Sequence, residues 1–417
     1  MTHQLPLIQP DVLIIGAGPS GLTAAAELAD RGAGHILVVD REDAAGGIPR
    51  HSDHTGYGLR DLHRLMTGPA YARHLVDRAN RAGAEIRTRT MVTGWADEHT
   101  LDVTSPDGRY RICPRAIVLA TGARERPRSA RRIPGDRPHG VYTTGQLQNL
   151  VHLHHQTVGK RAVIVGGELV SWSAVLTLRE AGCTPALMIS RYPKTESYGA
   201  FNAVGRTVLH VPVATRSRVT GVIGKGRCRA VEIEHLDTGR RTTVECDTVV
   251  FTGDWIPDHE LVRAAGIALD KGTLGPLTDT ALRTSRPGVF AVGNMLHPVD
   301  TADIAALDGK HVARQVIDFL NGRQQPSEGV RLTTSAPLRW VTPQILRPGD
   351  PAPARGRLLL WSDEFVRCPK VTIRQDGRVI NRRILAWPMA PGRVFRIPSS
   401  VLQGVSHTGG PVHISVA

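Results

Sequence analysis

The sequence predicts an α/β fold of two Rossmann-like, parallel-sheet domains with a small C-terminal β-rich domain behind them. Three observations predict it. A short apolar strand, a G-x-G-x-x-G loop and a small-residue helix follow one another between Asp11 and Ala29. A second strand–glycine–helix passage occupies residues 158–182. Past residue 326, short apolar runs separated by Pro and Gly replace both patterns.

Val12 to Ile15 is apolar and β-branched, as a strand covered on both faces requires. Gly16, Gly18 and Gly21 follow, with Pro19 and Ser20 between them. The first glycine allows a tight turn, the second lets backbone approach a pyrophosphate, and the third lets helix pack on strand. A helix N-terminus here offers free N–H groups and partial positive charge to a diphosphate. Ile36 to Val39 is the next strand, and Asp40 at its end stands where an acid binds a ribose diol. Glycines alone are a weak signal. In this order, with the acid, they make a dinucleotide site.

Hydrophobic residues are 41% and charged residues 22%, ordinary for a globular chain of 417 residues, which is long enough for two or three domains. Aromatics are only 4%, too few for stacking platforms on single-stranded nucleic acid. The formal charge is +14, but the basic residues are scattered, with one dense cluster from Arg124 to Arg132. Surface arginines in general explain this charge better than nucleic-acid binding, and an anionic substrate or partner stays open. Cys113, Cys183, Cys228, Cys246 and Cys368 include no C-x-x-C, so neither a dithiol centre nor a cysteine-held metal or cluster is expected. No metal-ligand spacing links the histidines. No stretch is long and apolar enough to span a membrane, and a cytoplasmic location is expected.

Gly68 to Ala84 has helical spacing, stopped by Gly83, and Glu85 to Val92 alternates as one strand. Leu101 to Ile112 reads as a hairpin turning at Ser105–Gly108, and Ala116 to Ala120 as another buried strand. In the second glycine passage the signature fails. Counting from Gly166, Glu168 and Ser171 take the places of the second and third glycines. A carboxylate there is wrong in size and charge for a pyrophosphate, which disfavours NADH or NADPH. Arg191 could meet a 2′-phosphate or be a plain surface residue. Asp247 to Gly253 is a strand, Pro257 to Ala265 a short helix, and Thr301 to Val316 a longer one. Residues 326–353, rich in Pro, Ser and Thr, read as a linker, and five apolar runs from Leu358 to Val416 as an antiparallel β domain.

Gly46-Gly47-Ile48-Pro49-Arg50-His51, followed by Thr67-Gly68-Pro69-Ala70-Tyr71-Ala72, resembles the FAD-binding α subunits of heteromeric bacterial dehydrogenases. These include dye-linked proline, hydroxyproline and opine dehydrogenases and hydrogen cyanide synthase, within the disulfide-reductase-like two-dinucleotide-domain flavoproteins. The resemblance covers Asp11 to Arg323 and implies an FAD domain, 1–130 with 275–325, interrupted by a nicotinamide-type domain, 131–274, ahead of a linker and β domain at 326–417. It implies that Arg41, Gly47, Ile48 and Arg50 run beside the flavin diphosphate, and that the backbone of Val92 meets the adenine. Ala120-Thr121-Gly122 resembles the second FAD signature. Gly293-Asn294 resembles the third, with Asn294 in place of the acid that binds the ribitol. The N-terminus of the following helix, at Thr301 and Ala302, then points at the flavin pyrimidine.

FAD takes a hydride, so a base near the flavin is the group to seek. His51 and His54 are the candidates, with loop capping or diphosphate contact as the plainer alternative. His297 and Asp303 are further candidates. Related subunits often carry cluster cysteines that this chain lacks. Electrons are therefore expected to leave through a partner subunit (second flavoprotein or iron–sulfur protein) or to another acceptor. The expectation is a FAD-dependent dehydrogenase component oxidising a small amino or imino acid, opine or hydroxy-phosphate. The alternatives are an NAD(P)H-dependent flavoprotein reductase and a non-catalytic electron-transfer or scaffold component with bound FAD.

Overall fold

A computed structural model describes residues 5–323 and 328–417. Two compact units share the chain. Met1–Arg50, Gly56–Ala123 and Pro257–Ala417 form one, and His51–Thr55 with Arg124–Ile256 form the other.

The first unit is built on a parallel sheet in the order Val289–Ala291, Ala116–Leu119, Val12–Ile15, Ile36–Val39, Glu85–Arg87. All four residues of Val12–Ile15 are buried, as the absence of polar alternation demands. The Pro19–Asp30 helix packs on this sheet and against the Ala302–Leu320 helix. Small residues set that approach: a Cβ on Gly309 would lie 2.2 Å from the Ser20 carbonyl oxygen. The expected strand 85–92 is instead two strands in different sheets. Glu85–Arg87 closes the parallel sheet, and Met91–Trp95 pairs antiparallel with Leu101–Ser105. The chain turns between them because the Arg89 and Thr90 amides donate to the Glu42 and Asp40 carbonyls.

The second unit repeats the plan, with a parallel sheet in the order Val141–Thr143, Thr248–Phe251, Arg161–Val165, Thr184–Ile189, Val213–Ala214. The Leu169–Glu180 helix follows its glycine turn. A three-stranded antiparallel sheet, Ser217–Ile223, Ala230–His235 and Arg241–Glu245, shares a core with it through Val163, Val249 and Phe251.

The stretch read as a linker carries strands at Val330–Thr334 and Leu338–Thr342. Its Pro and Thr residues border or occupy extended chain, which composition cannot separate from a tether. Residues 324–327, where that linker was expected to begin, lie outside the described residues. The apolar runs after it form strands at Arg357–Ser362, Lys370–Gln375, Arg378–Ile384, Phe395–Pro398 and Val412–Val416. They make two sheets around Val341, Leu358, Leu360, Ile373, Ile397 and Ile414. The pairs are antiparallel except Val330–Thr334 with Val412–Val416, which is parallel. Across to the preceding part of the same unit run Arg347–Asp279 at 3.0 Å, Arg355–Asp308 at 3.8 Å and an Arg396–Asp300 pair. Asp350 binds Arg283, which also pairs with Asp279 at 2.7 Å.

Candidate functional site

The first glycine loop is closed by sterics. Gly16 has φ +110°, and a Cβ there would lie 2.4 Å from the Ala120 carbonyl oxygen. A Cβ on Gly21 would lie 2.0 Å from the Gly16 carbonyl oxygen. At Gly18 a Cβ would meet nothing within 4 Å, so backbone faces open space where the helix begins. Pro19 occupies the first helical turn, where its missing N–H costs nothing. No side chain caps this N-terminus and no acid stands in its first turn, so its N–H groups and partial charge face outward unclaimed. This cradle fits a diphosphate.

Three further segments converge on the loop. Gly46 donates to the Ala17 carbonyl, and a Cβ on Gly47 (φ +64°) would lie 2.8 Å from Gly18 Cα. Asp40 accepts from the Ala17 amide at 2.6 Å and from the Glu42 amide at 2.9 Å, so the acid braces the glycine loop. Gly293 has φ +71°, and a Cβ there would lie 2.0 Å from Ser20 Oγ. The Ala120–Gly122 stretch is tied to Asp258, with Thr121 Oγ1 donating to its carbonyl at 2.7 Å and its amide donating to the Gly122 carbonyl at 2.9 Å. Arg41 lies 3.3 Å from the Asp258 carboxylate. Nothing in the sequence pattern marks Asp258, which is more than 130 residues from Thr121.

The other residues named from the sequence have these surroundings. The Arg50 guanidinium folds back onto the Ala44 carbonyl, and Ile48 is exposed. Val92 is buried opposite Val103, while Arg89 and Thr90 return to the Asp40 loop. Asn294 uses both ends on one residue, donating to the Asp300 carbonyl at 3.0 Å and accepting from its amide at 2.9 Å. The Ala302–Leu320 helix starts after Thr301 and already carries Asp303 in its first turn. Asp303 accepts from Thr301 Oγ1 at 2.5 Å, and from the Arg60 amide and guanidinium at 3.1 and 3.3 Å. His297 is buried against Trp340, at 5.2 Å between rings. Burial first, then Arg355 and Arg396, hold its imidazole down at about 3. It is a neutral core residue.

His51 and His54 belong to the short segment that groups with the second unit. His51 is buried. His54 Nδ1 donates to the Thr55 carbonyl at 2.8 Å, and its Nε2 accepts from Ser52 Oγ at 3.1 Å. Gln148 Nε2 donates to the same Ser52 hydroxyl at 3.3 Å.

In the second unit the glycine turn is filled from within. Glu168 stands at the position before the Leu169–Glu180 helix, yet its side chain does not cap it. The carboxyl accepts from Thr252 Oγ1 at 3.2 Å and sits where a Cβ on Gly253 would be, 2.1 Å away. Thr252 and Ser171 hydroxyls bond each other at 2.7 Å. Glu196, which the sequence pattern did not mark, accepts from Ser190 Oγ at 2.8 Å and occupies the space beside Gly167. Desolvation raises both carboxyls above their ordinary range, with Arg131 opposing the rise at Glu168 and Glu168 adding to it at Glu196. Arg191 lies over the Tyr192 ring. No group among the described residues could hold a metal ion, and no helix among them is long and apolar enough to cross a membrane.

Comparison with known proteins agrees with this geometry. Residues 10–309 match the family described as pyridine nucleotide-disulphide oxidoreductase. A thioredoxin reductase of Treponema pallidum is 26% identical over 74% of this chain and 98% of its own length. An opine oxidase subunit of Agrobacterium tumefaciens is 25% identical over 92% of this chain and 80% of its own. The crystal structure of T. acidophilum thioredoxin reductase shares the fold at a TM-score of 0.62, with 23% identity, over 74% of this chain and 98% of that one. The chain belongs to the pyridine nucleotide-disulphide oxidoreductase family, and it is an FAD-dependent oxidoreductase.

Proposed function

We propose that this chain is the flavin-carrying subunit of a heteromeric dehydrogenase, whose substrate is a small amino acid, imino acid, opine or hydroxy-phosphate. Electrons then pass to a partner subunit (second flavoprotein or iron–sulfur protein). The observation that carries this reading is the Glu168 carboxyl lodged in the second glycine turn, where a nicotinamide dinucleotide would need bare backbone. The likeness to the opine oxidase subunit, which extends over 92% of the chain, supports the same reading. In it, Gly18 and the N-terminus of the Pro19–Asp30 helix hold the FAD diphosphate, and Asp40 meets the ribose. Ser20, Ala120, Thr121, Gly122 and Gly293 let the cofactor lie close to backbone, with Thr301 and Ala302 at the flavin end. When bound, FAD supplies the hydride acceptor. His51, which is buried, and His54 are the proposed candidates for the base.

A second reading, an NAD(P)H-dependent flavoprotein reductase, draws on the thioredoxin reductase likeness. It requires Glu168 to leave the turn. An anaerobic visible spectrum before and after NADPH, and then NADH, separates the two. The proposal expects a flavin band that stays oxidised with either nucleotide. Rapid bleaching would replace it with the reductase reading.

A further inference from the structure

The cysteines are far apart in sequence, but folding brings two of them into contact. Cys228 and Cys246 stand 4.0 Å apart, sulfur to sulfur, both buried in the core beneath the second unit's antiparallel sheet. They lie just past the last rung of the hairpin formed by Ala230–His235 and Arg241–Glu245, where Ala230 faces Glu245. The Cys246 amide donates to the Arg229 carbonyl at 3.1 Å, which holds the two chain ends side by side. A disulfide needs its sulfurs about 2.05 Å apart, so the two sulfurs must approach each other by about 2 Å.

We propose that Cys228 and Cys246 form a thiol–disulfide couple, a second two-electron site distinct from the flavin, which exchanges with low-molecular-weight disulfides. The inference does not depend on the proposed substrate class or partner. Three features favour exchange over an inert pair. The Cys228 thiol is made more acidic, first by the hydrogen bond with Cys246 and also by the Arg128 guanidinium. Cys246 is shifted the opposite way by the same contact, in which either sulfur can donate, and the proposal takes Cys228 as the attacking thiol and Cys246 as the resolving one. Cys228 lies in a loop whose Lys225, Gly226, Arg227 and Arg229 are exposed. A small disulfide therefore reaches Cys228 by local opening of that loop, without unfolding the sheet.

The chemistry balances without another reactant. Cys228 thiolate attacks one sulfur of the small disulfide and releases one thiolate. Cys246 thiolate then attacks the mixed disulfide and releases the second. The two protons of the pair end on the two released thiols, and its two electrons reduce the small disulfide.

The test uses the full chain with its flavin, reduced and then equilibrated overnight with glutathione mixtures of increasing oxidised fraction. Acid quenching, alkylation and peptide mass mapping follow. The expected result is a cross-linked Cys228–Cys246 peptide, lighter by two hydrogens, that disappears when the mixture is made reducing again. Exposed Cys368 takes up glutathione in the same sample and reports that the buffer acted. In Cys246→Ser the resolving thiol is gone, and glutathione accumulates on Cys228. Full alkylation of both Cys228 and Cys246 while Cys368 is modified overturns the proposal, as does a cross-link to any other cysteine. The wild-type map decides the matter even if the variant does not fold.

Discussion

Gly18 and Gly21 sit in one loop, but the structure gives them different work, and that difference can be measured. Gly21 is a packing glycine, because its absent Cβ would lie 2.0 Å from the Gly16 carbonyl oxygen. Gly21→Ala should destabilise even the flavin-free protein by about 2 kcal/mol, the ordinary cost of overpacking. Gly18 has φ −83° and open space beside it, so alanine is tolerated by the backbone. Gly18→Ala should leave flavin-free stability within about 1 kcal/mol of wild type. It should nonetheless weaken FAD by tenfold or more, since a methyl group enters the diphosphate cradle (about 1.4 kcal/mol or more). Thermal unfolding of the apoprotein and equilibrium release of FAD read the two effects separately. A Gly18→Ala protein that keeps FAD as tightly as wild type would remove Gly18 from the site. The glycines were legible in the sequence because their role is local and steric. Thr252, which holds Glu168 from 84 positions away, had no such local signature, and neither did the Asp300 backbone that engages Asn294.

At the scale of elements, strands buried on both faces were the most legible, since Val12–Ile15, Ile36–Val39 and Ala116–Leu119 announce themselves by unbroken apolar runs. The break between Glu85–Arg87 and Met91–Trp95 was hidden, because its cause is two hydrogen bonds to the Asp40 loop rather than any turn residue. Glu125 shows another hidden element contact. It is buried at the end of a strand and accepts from the Gly145 amide at 2.8 Å, in the first turn of the Thr144–Gln148 helix. Burial raises its carboxyl to about 7, against a partial lowering by that amide. The folded state therefore holds a proton that the unfolded chain has already lost, and the stability it confers falls as pH rises from the ordinary carboxylate range through about 7. From this group alone, unfolding free energy should be about 1 kcal/mol lower at pH 8 than at pH 6. Urea unfolding of wild type and Glu125→Gln at the two pH values measures it. The variant should lose that part of the slope, and an unchanged slope would assign the pH dependence to other groups.

On the scale of the whole molecule, part of the basic excess is internal. Arg331, Arg347, Arg355 and Arg396, all past residue 330, face Asp270, Asp279, Asp308 and Asp300 of the preceding part of the first unit. Asp279, Asp300 and Asp308 are buried. A buried ion pair adds little net stability when intact, but loss of one partner leaves an uncompensated charge and costs about 3–5 kcal/mol. The C-terminal strands are therefore integral to the first unit rather than a module hung on a tether. A chain ending at Arg323 should fail to accumulate as a folded flavoprotein, because three buried aspartates would lose arginine partners at once. The gentler variant Arg347→Ala keeps every strand and removes one partner of Asp279, leaving Arg283 to share the charge. It should unfold at lower urea with about 2–3 kcal/mol lost, below the full range because of that second arginine. Flavin absorbance of the purified truncation and urea midpoints of the point variant carry the test. A truncated chain that purifies yellow, together with an Arg347→Ala midpoint equal to wild type, would mean that the aspartates reach water once the strands are gone. The C-terminal domain would then be a removable addition to a self-sufficient flavin fold.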